Sequence, residues 1–217
     1  MTSERAIISI SPDWAEPTRF EPFRSWIGAA VRSSKFEFVT ILYSLVVAFG
    51  VSELLAALGR VLRDRTKAPV FVPQVLAFLL LLFAFLQSLW GYWGFRNVEW
   101  TFWLFFAAFL PLLALSIATS IAIPEATIDQ REAVDDQYFT TMKLVLPLLA
   151  LWVLLGAMAE LLLPQPLLHF GHLARVIAIA VLLMLTRSRS VRLHTIGLAL
   201  LGVCQLIFVE SVTPGLS

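Results

Sequence analysis

Apolar residues in this chain come in long runs rather than in narrow stripes. Six segments are mainly apolar over about twenty residues, the length a helix needs to cross the hydrocarbon of a bilayer. They are 36–58, 70–93, 100–123, 140–163, 168–186 and 193–212. The fifth is the weakest, because its strong apolar run begins only after Arg175. Polar residues collect in the short stretches between the runs. The pattern predicts an all-α fold, a polytopic transmembrane bundle of six spans forming one domain over 36–217. A tail, residues 1–35, precedes it. No apolar stretch near the start has the form of a cleavable signal, so the first span is expected to be retained. Within the tail, Phe20, Phe23, Ile27 and Val31 recur at helical spacing. That spacing predicts an amphipathic helix over about 20–34, either lying in the membrane interface or docked on the loops.

Composition identifies the solvent. The 217 residues are 59% hydrophobic and 14% charged, with a mean hydropathy of +0.84. Soluble domains carry about a quarter charged residues, and a chain of this size cannot hide so much apolar surface from water. Lipids are therefore the expected partners. A net charge of +1 without a basic stripe argues against nucleic acid. The lone Cys204 cannot form an internal disulfide or a cysteine-based metal site.

An even number of spans puts both ends of the domain on one side, here side B, together with the hairpin after the second span and the turn at 164–167. Side A carries the loops 59–69, 124–139 and 187–192. The first and last of these are basic, through Arg60, Arg63, Arg65 and Lys67 and through Arg187, Arg189 and Arg192. The middle one is acidic, through Glu125, Asp129, Glu132, Asp135 and Asp136. Such a set either pairs across loops or stays solvated. Lys and Arg are more numerous beside side A, which predicts that its loops are cytoplasmic.

In the first span, Thr40, Ser44, Ala48, Ser52 and Ala56 recur every four residues. A face of small side chains gains nothing from lipid, whereas a neighbouring helix can approach it closely. It is expected to be buried, inside the bundle or at a contact between copies. The same helix carries Glu37 near side B and Glu53 near side A, on nearly opposite faces. Glu53 has Arg60 on its own face two turns later. An acid within a span is a functional candidate by default, although Glu53 also lies close enough to reach the headgroups.

Polar residues accumulate toward side B: Glu37, then Arg96 and Glu99 in the hairpin, Glu160, His169, His172, Arg175, Gln205 and Glu210. Arg175 is the deepest charge and is expected to pair with Glu160 or Glu37. Such a pair either braces the bundle or belongs to a polar vestibule; otherwise Arg175 reaches out to the headgroups. Four of the seven tryptophans stand around the hairpin as two W-x-x-W pairs, Trp90/Trp93 and Trp100/Trp103. They read as an interfacial belt and as the rim of any site on that side. No nucleotide-binding, nucleophile-elbow or zinc-protease motif occurs, and three scattered histidines offer no haem or metal set. No cofactor and no catalytic residue are expected. Pro111 and Pro147 fall inside spans and predict kinks.

The stretches "FEFVTILYSLVVAFGVSELLAALGR", "SLWGYWGFRNVEWTFW" and "TRSRSVRLH", in that order, resemble a family of bacterial six-helix integral membrane proteins. Those share an F-E-F first span, a tryptophan-rich second hairpin and a basic turn before the last helix. The resemblance implies the inner membrane and assigns no activity. Two functions follow as expectations. One is passage or sensing of an ion or small solute, by an oligomer in contact through the first span. The other is a non-catalytic subunit of a larger membrane complex. A lipid-active enzyme ranks third. Polar residues around a wet interior favour the first, a dry core the second.

Overall fold

In hydrocarbon every backbone N–H and C=O needs a partner within the protein, and a helix provides it locally. The computed structural model describes residues 21–63, 71–96, 98–123, 131–161 and 170–212; of these, the side chains of 21–34, 131–135, 160, 170–172 and 208–212 are not described. The regular structure is helical: α1 (Glu21–Arg63), α2 (Val72–Tyr92), a 3₁₀ turn (Trp93–Phe95), α3 (Phe102–Ala122), α4 (Arg131–Glu160), α5 (Phe170–Arg187) and α6 (Val191–Val212). Four stretches are long and apolar enough to cross a membrane: Lys35–Arg63, Val72–Phe95, Phe102–Ala122 and Asp136–Ala159. The chain is thus a membrane-embedded helical bundle, completed by α5 with 18 residues and α6 with 22. The helix expected over 20–34 is continuous with the first span, making α1 a single helix of 43 residues.

Local chemistry sets the helix starts. Pro73 occupies the first turn of α2, where a missing N–H is no loss. Thr101 caps α3, its hydroxyl accepting from the Leu104 N–H at 3.3 Å, so one of the free amides of the first turn is satisfied.

Helix α3 packs on α4, α4 on α5, α5 on α6 and α6 on α2. Helices α2 and α3 also touch, which closes a ring of five, and α1 lies over the α2–α3 seam. The described side chains of the side A half of this ring are closely packed. Phe78, Leu81, Leu115, Met142, Val145, Leu146 and Leu185 are all fully buried there. Among them sits His194, 1% exposed. Its Nε2 lies 3.1 Å from the backbone oxygens of both Leu185 and Ser188, so this nitrogen carries the hydrogen. Its Nδ1 then accepts from the Tyr138 hydroxyl, 3.1 Å away. Tyr138 and Phe139 stand edge-on to the imidazole, and Phe71 closes on Tyr138. One neutral histidine thereby ties the α5–α6 turn to α4 and to the entry of α2. Among the described residues of the charged loops, Arg189 meets Asp136 at 3.8 Å, an exposed pair of little energetic weight.

Two glycines set how closely helices approach. A Cβ at Gly50 would overlap the ring tip of Phe85, and one at Gly197 would fall 2.8 Å from the Leu185 methyls. Both neighbours are fully buried. Gly50→Ala is therefore expected to lower the apparent melting temperature in detergent. Overpacking of about 1–3 kcal/mol outweighs a helix-propensity gain of about 1 kcal/mol. Adding Phe85→Leu should restore it; equal loss in single and double variants would contradict this contact. His194→Leu should cost about 1–3 kcal/mol by stranding the Tyr138 hydroxyl and two carbonyls, read in the same assay.

Candidate functional site

The side B half of the ring is built differently. Where side A has leucine and phenylalanine, the inward positions here are Gly91 of α2, Ala108 of α3, Gly156 and Ala159 of α4, and Ala174 and Ala178 of α5. Small side chains on successive helices cannot meet in the middle, and a cavity of about 130 Å³ remains. A Cβ added at Gly91 or Gly156 would find nothing within 4 Å. Most of the lining comes from the middle of α1, the first half of α3 and α5 and the last half of α2, α4 and α6. That alternation is the mark of an up-and-down bundle.

Polar groups concentrate on this cavity. Ser88 is the centre of a small network: its hydroxyl accepts from the Trp152 Nε1–H at 3.0 Å, and its backbone oxygen accepts from the Tyr43 hydroxyl at 3.3 Å. Helices α2 and α4 are not neighbours in the ring, so the Trp152–Ser88 bond spans it. Tyr43 in turn stacks on Tyr92 at 4.4 Å between ring centres. The carboxamide oxygens of Gln87 and Gln205, both lining residues, are buried without a hydrogen-bond partner. Leaving such a group unmatched costs about 1–3 kcal/mol, and rotation of the amide can turn either its oxygen or its nitrogen inward. Arg175, half-buried on α5, completes the wall beside Cys204 of α6. Pro111 of α3 also lines it; lacking an N–H, it cannot bond the carbonyl one turn back.

Of the residues singled out from the sequence, Arg175 and Gln205 reach the cavity. Glu37, Arg96 and Glu99 are exposed at the side B end and do not line it. The side chains of Glu160, His172 and Glu210, and all of His169, lie outside the described residues, and with them the expected Arg175–Glu160 pair. Glu53 and Arg60 are exposed on α1, and among the described residues no ion pair joins them. The four-residue stripe of α1 is not inside the bundle. Thr40 and Ser44 are half-buried, but Ala48, Ser52 and Ala56 are exposed. The inward face is instead Val39, Tyr43, Val47, Gly50, Leu54 and Ala57, where one glycine at the Phe85 contact gives the close approach and larger residues fill the rest. Contact between copies is the remaining branch of that expectation.

The tryptophans of the hairpin divide. Trp90, Trp93 and Trp103 are exposed, whereas Trp100 is buried against Phe36, Tyr92 and Phe95. Trp93 meets Phe36 edge-on and Trp103 meets Phe102 in the same way. None of the four lines the cavity; its aromatic wall is Tyr43, Tyr92, Phe95 and Trp152. Sequence reasoning passed over Tyr43, Gln87, Ser88 and Trp152. A usable signal was there: Gln87 and Ser88 are adjacent polar residues within an apolar run, and Trp152 sits inside a span, away from the belt.

Compared with known proteins, the chain matches no family model, and neither a curated protein nor a solved structure is similar to it.

Proposed function

We propose that the protein binds and senses a small amphiphile within the membrane, in the side B cavity. The observation that carries this reading is the cavity itself: a void framed by glycine and alanine on four helices, with two unmatched carboxamides in its wall. An occupant with an apolar body and one hydrogen-bonding end would cover the apolar wall and satisfy the carboxamide of Gln87 or Gln205. Such a pocket, mostly apolar with a few convergent polar groups, is the usual form of a small-molecule site. The packed half around His194 favours binding and sensing over free passage, since the described core there is continuous. Hydrogen-bonding and apolar groups, without a paired nucleophile and base among the described lining, favour recognition over catalysis. With side A cytoplasmic in a bacterial inner membrane, as the distribution of Lys and Arg and the family resemblance argue, the cavity lies in the outer half of the bilayer.

The test uses the full chain in nanodiscs and a series of n-alkanols and n-alkanoates of increasing length. Wild type should gain several degrees in melting temperature with an optimum chain length. Gly156→Leu, whose side chain enters open space, should fold with an unchanged or higher melting temperature and lose that response. An identical ligand response in Gly156→Leu would sink the proposal.

A further inference from the structure

A second recess lies on the outside of the bundle at its side B end, apart from the cavity. It is a groove between the start of the first span and the start of α3, lined by Lys35, Phe38, Val39, Trp100, Thr101, Phe102 and Phe105. Three features of it point to one kind of ligand. The first is charge. Among the described lining residues Lys35 is the only charged side chain, and it is exposed; neither Glu37 nor Glu99 lines the groove. The second is the N-terminus of α3. Its Thr101 cap satisfies the Leu104 N–H, and among the described residues the amides of Phe102 and Trp103 have no partner at the positive end of a 21-residue helix, the arrangement that binds phosphate and other anions. The third is an unexplained donor. Trp100 is 9% exposed, and its Nε1–H is buried without a hydrogen-bond partner. Its ring packs against Phe36, Tyr92 and Phe95.

The flanks are of the opposite character. Phe38 and Phe102 are largely exposed, and Phe105 runs one turn deeper along α3. From the charged end, the groove therefore continues as an aromatic channel toward the hydrocarbon. It lies at the start of the apolar helix Phe102–Ala122, which is the headgroup level of the bilayer. A soluble anion would use the polar end and gain nothing from the phenylalanines. A phospholipid uses both.

We infer that this groove holds an anionic phospholipid of the side B leaflet. Its phosphate sits between the Lys35 ammonium and the Phe102 and Trp103 amides of α3, with the Trp100 N–H as the next donor, and one acyl chain lies along Phe38, Phe102 and Phe105. Lysine contributes as a compact charge with a long stem that can follow the phosphate. The site is independent of the amphiphile cavity, so either can fail without the other.

The test is native mass spectrometry of the full chain released from nanodiscs of equal phosphatidylglycerol and phosphatidylcholine. Wild type should retain one phosphatidylglycerol in preference to phosphatidylcholine. Lys35→Gln should reduce that retention about fivefold, the worth of one basic residue at a membrane surface. Lys35→Arg should restore most of it. Arg192→Gln removes an exposed cation at the other end of the bundle and should leave retention unchanged. Equal retention of the two lipids by wild type, or undiminished phosphatidylglycerol on Lys35→Gln, would overturn the assignment.

Discussion

Apolar side chains in a bilayer have no reason to leave lipid for one another, so a helical bundle is held by closeness of fit and by the few hydrogen bonds between helices. This constraint accounts for the division of the molecule into two halves. Around His194 the described side chains are closely packed: a glycine at the Leu185 contact brings backbones together, and fully buried leucines fill the ring. The imidazole uses both nitrogens, and each bond reaches a different part of the chain. With one half fastened in this way, the other half can remain unfilled without the helices separating.

An unfilled half also has to be kept from closing. Small residues alone would let α2 and α4 lean inward until the void disappeared, because packing contacts would be gained on the way. The Trp152 indole is large and rigid, and it ends on Ser88 of the opposite helix. It therefore acts as a strut that sets the distance between two helices that are not neighbours. Tyr43, stacked on Tyr92 and bonded to the backbone of Ser88, brings α1 into the same frame. The polar network and the cavity are thus one construction, with the hydrogen bonds maintaining the space that the glycines and alanines leave.

The architecture was legible in the sequence because membrane depth follows directly from where apolar runs begin and end. The helical bundle and the apolar stretches long enough to cross a membrane depend on depth alone. Direction around a helix axis is a different quantity. The α1 stripe shows the difference: Ser52 and Ala56 have the composition of a packing face, yet the neighbours chose Val47, Gly50 and Leu54, because Phe85 could approach only at a glycine. The same gap hid the cavity. Of the charges singled out, Arg175 reaches the cavity while Glu37, Arg96 and Glu99 are exposed, and neutral Gln87, Ser88 and Trp152 carry much of the interior polarity. Within a span, neutral polar residues are cheaper to bury than charged ones, and they are the better guide to an inward face.

The glycines of this bundle can be compared on one scale. Each gives up about 1 kcal/mol of helix propensity relative to alanine. At Gly50 and Gly197 the sacrifice is returned as contact, since a methyl group there would collide with a neighbour. At Gly156 it is not, because a methyl group would enter open space. A chain selected for stability alone would drift to alanine at that position, by the smallest change a side chain can undergo. Glycine at this lining position keeps that part of the cavity wall open at the cost of a weaker helix.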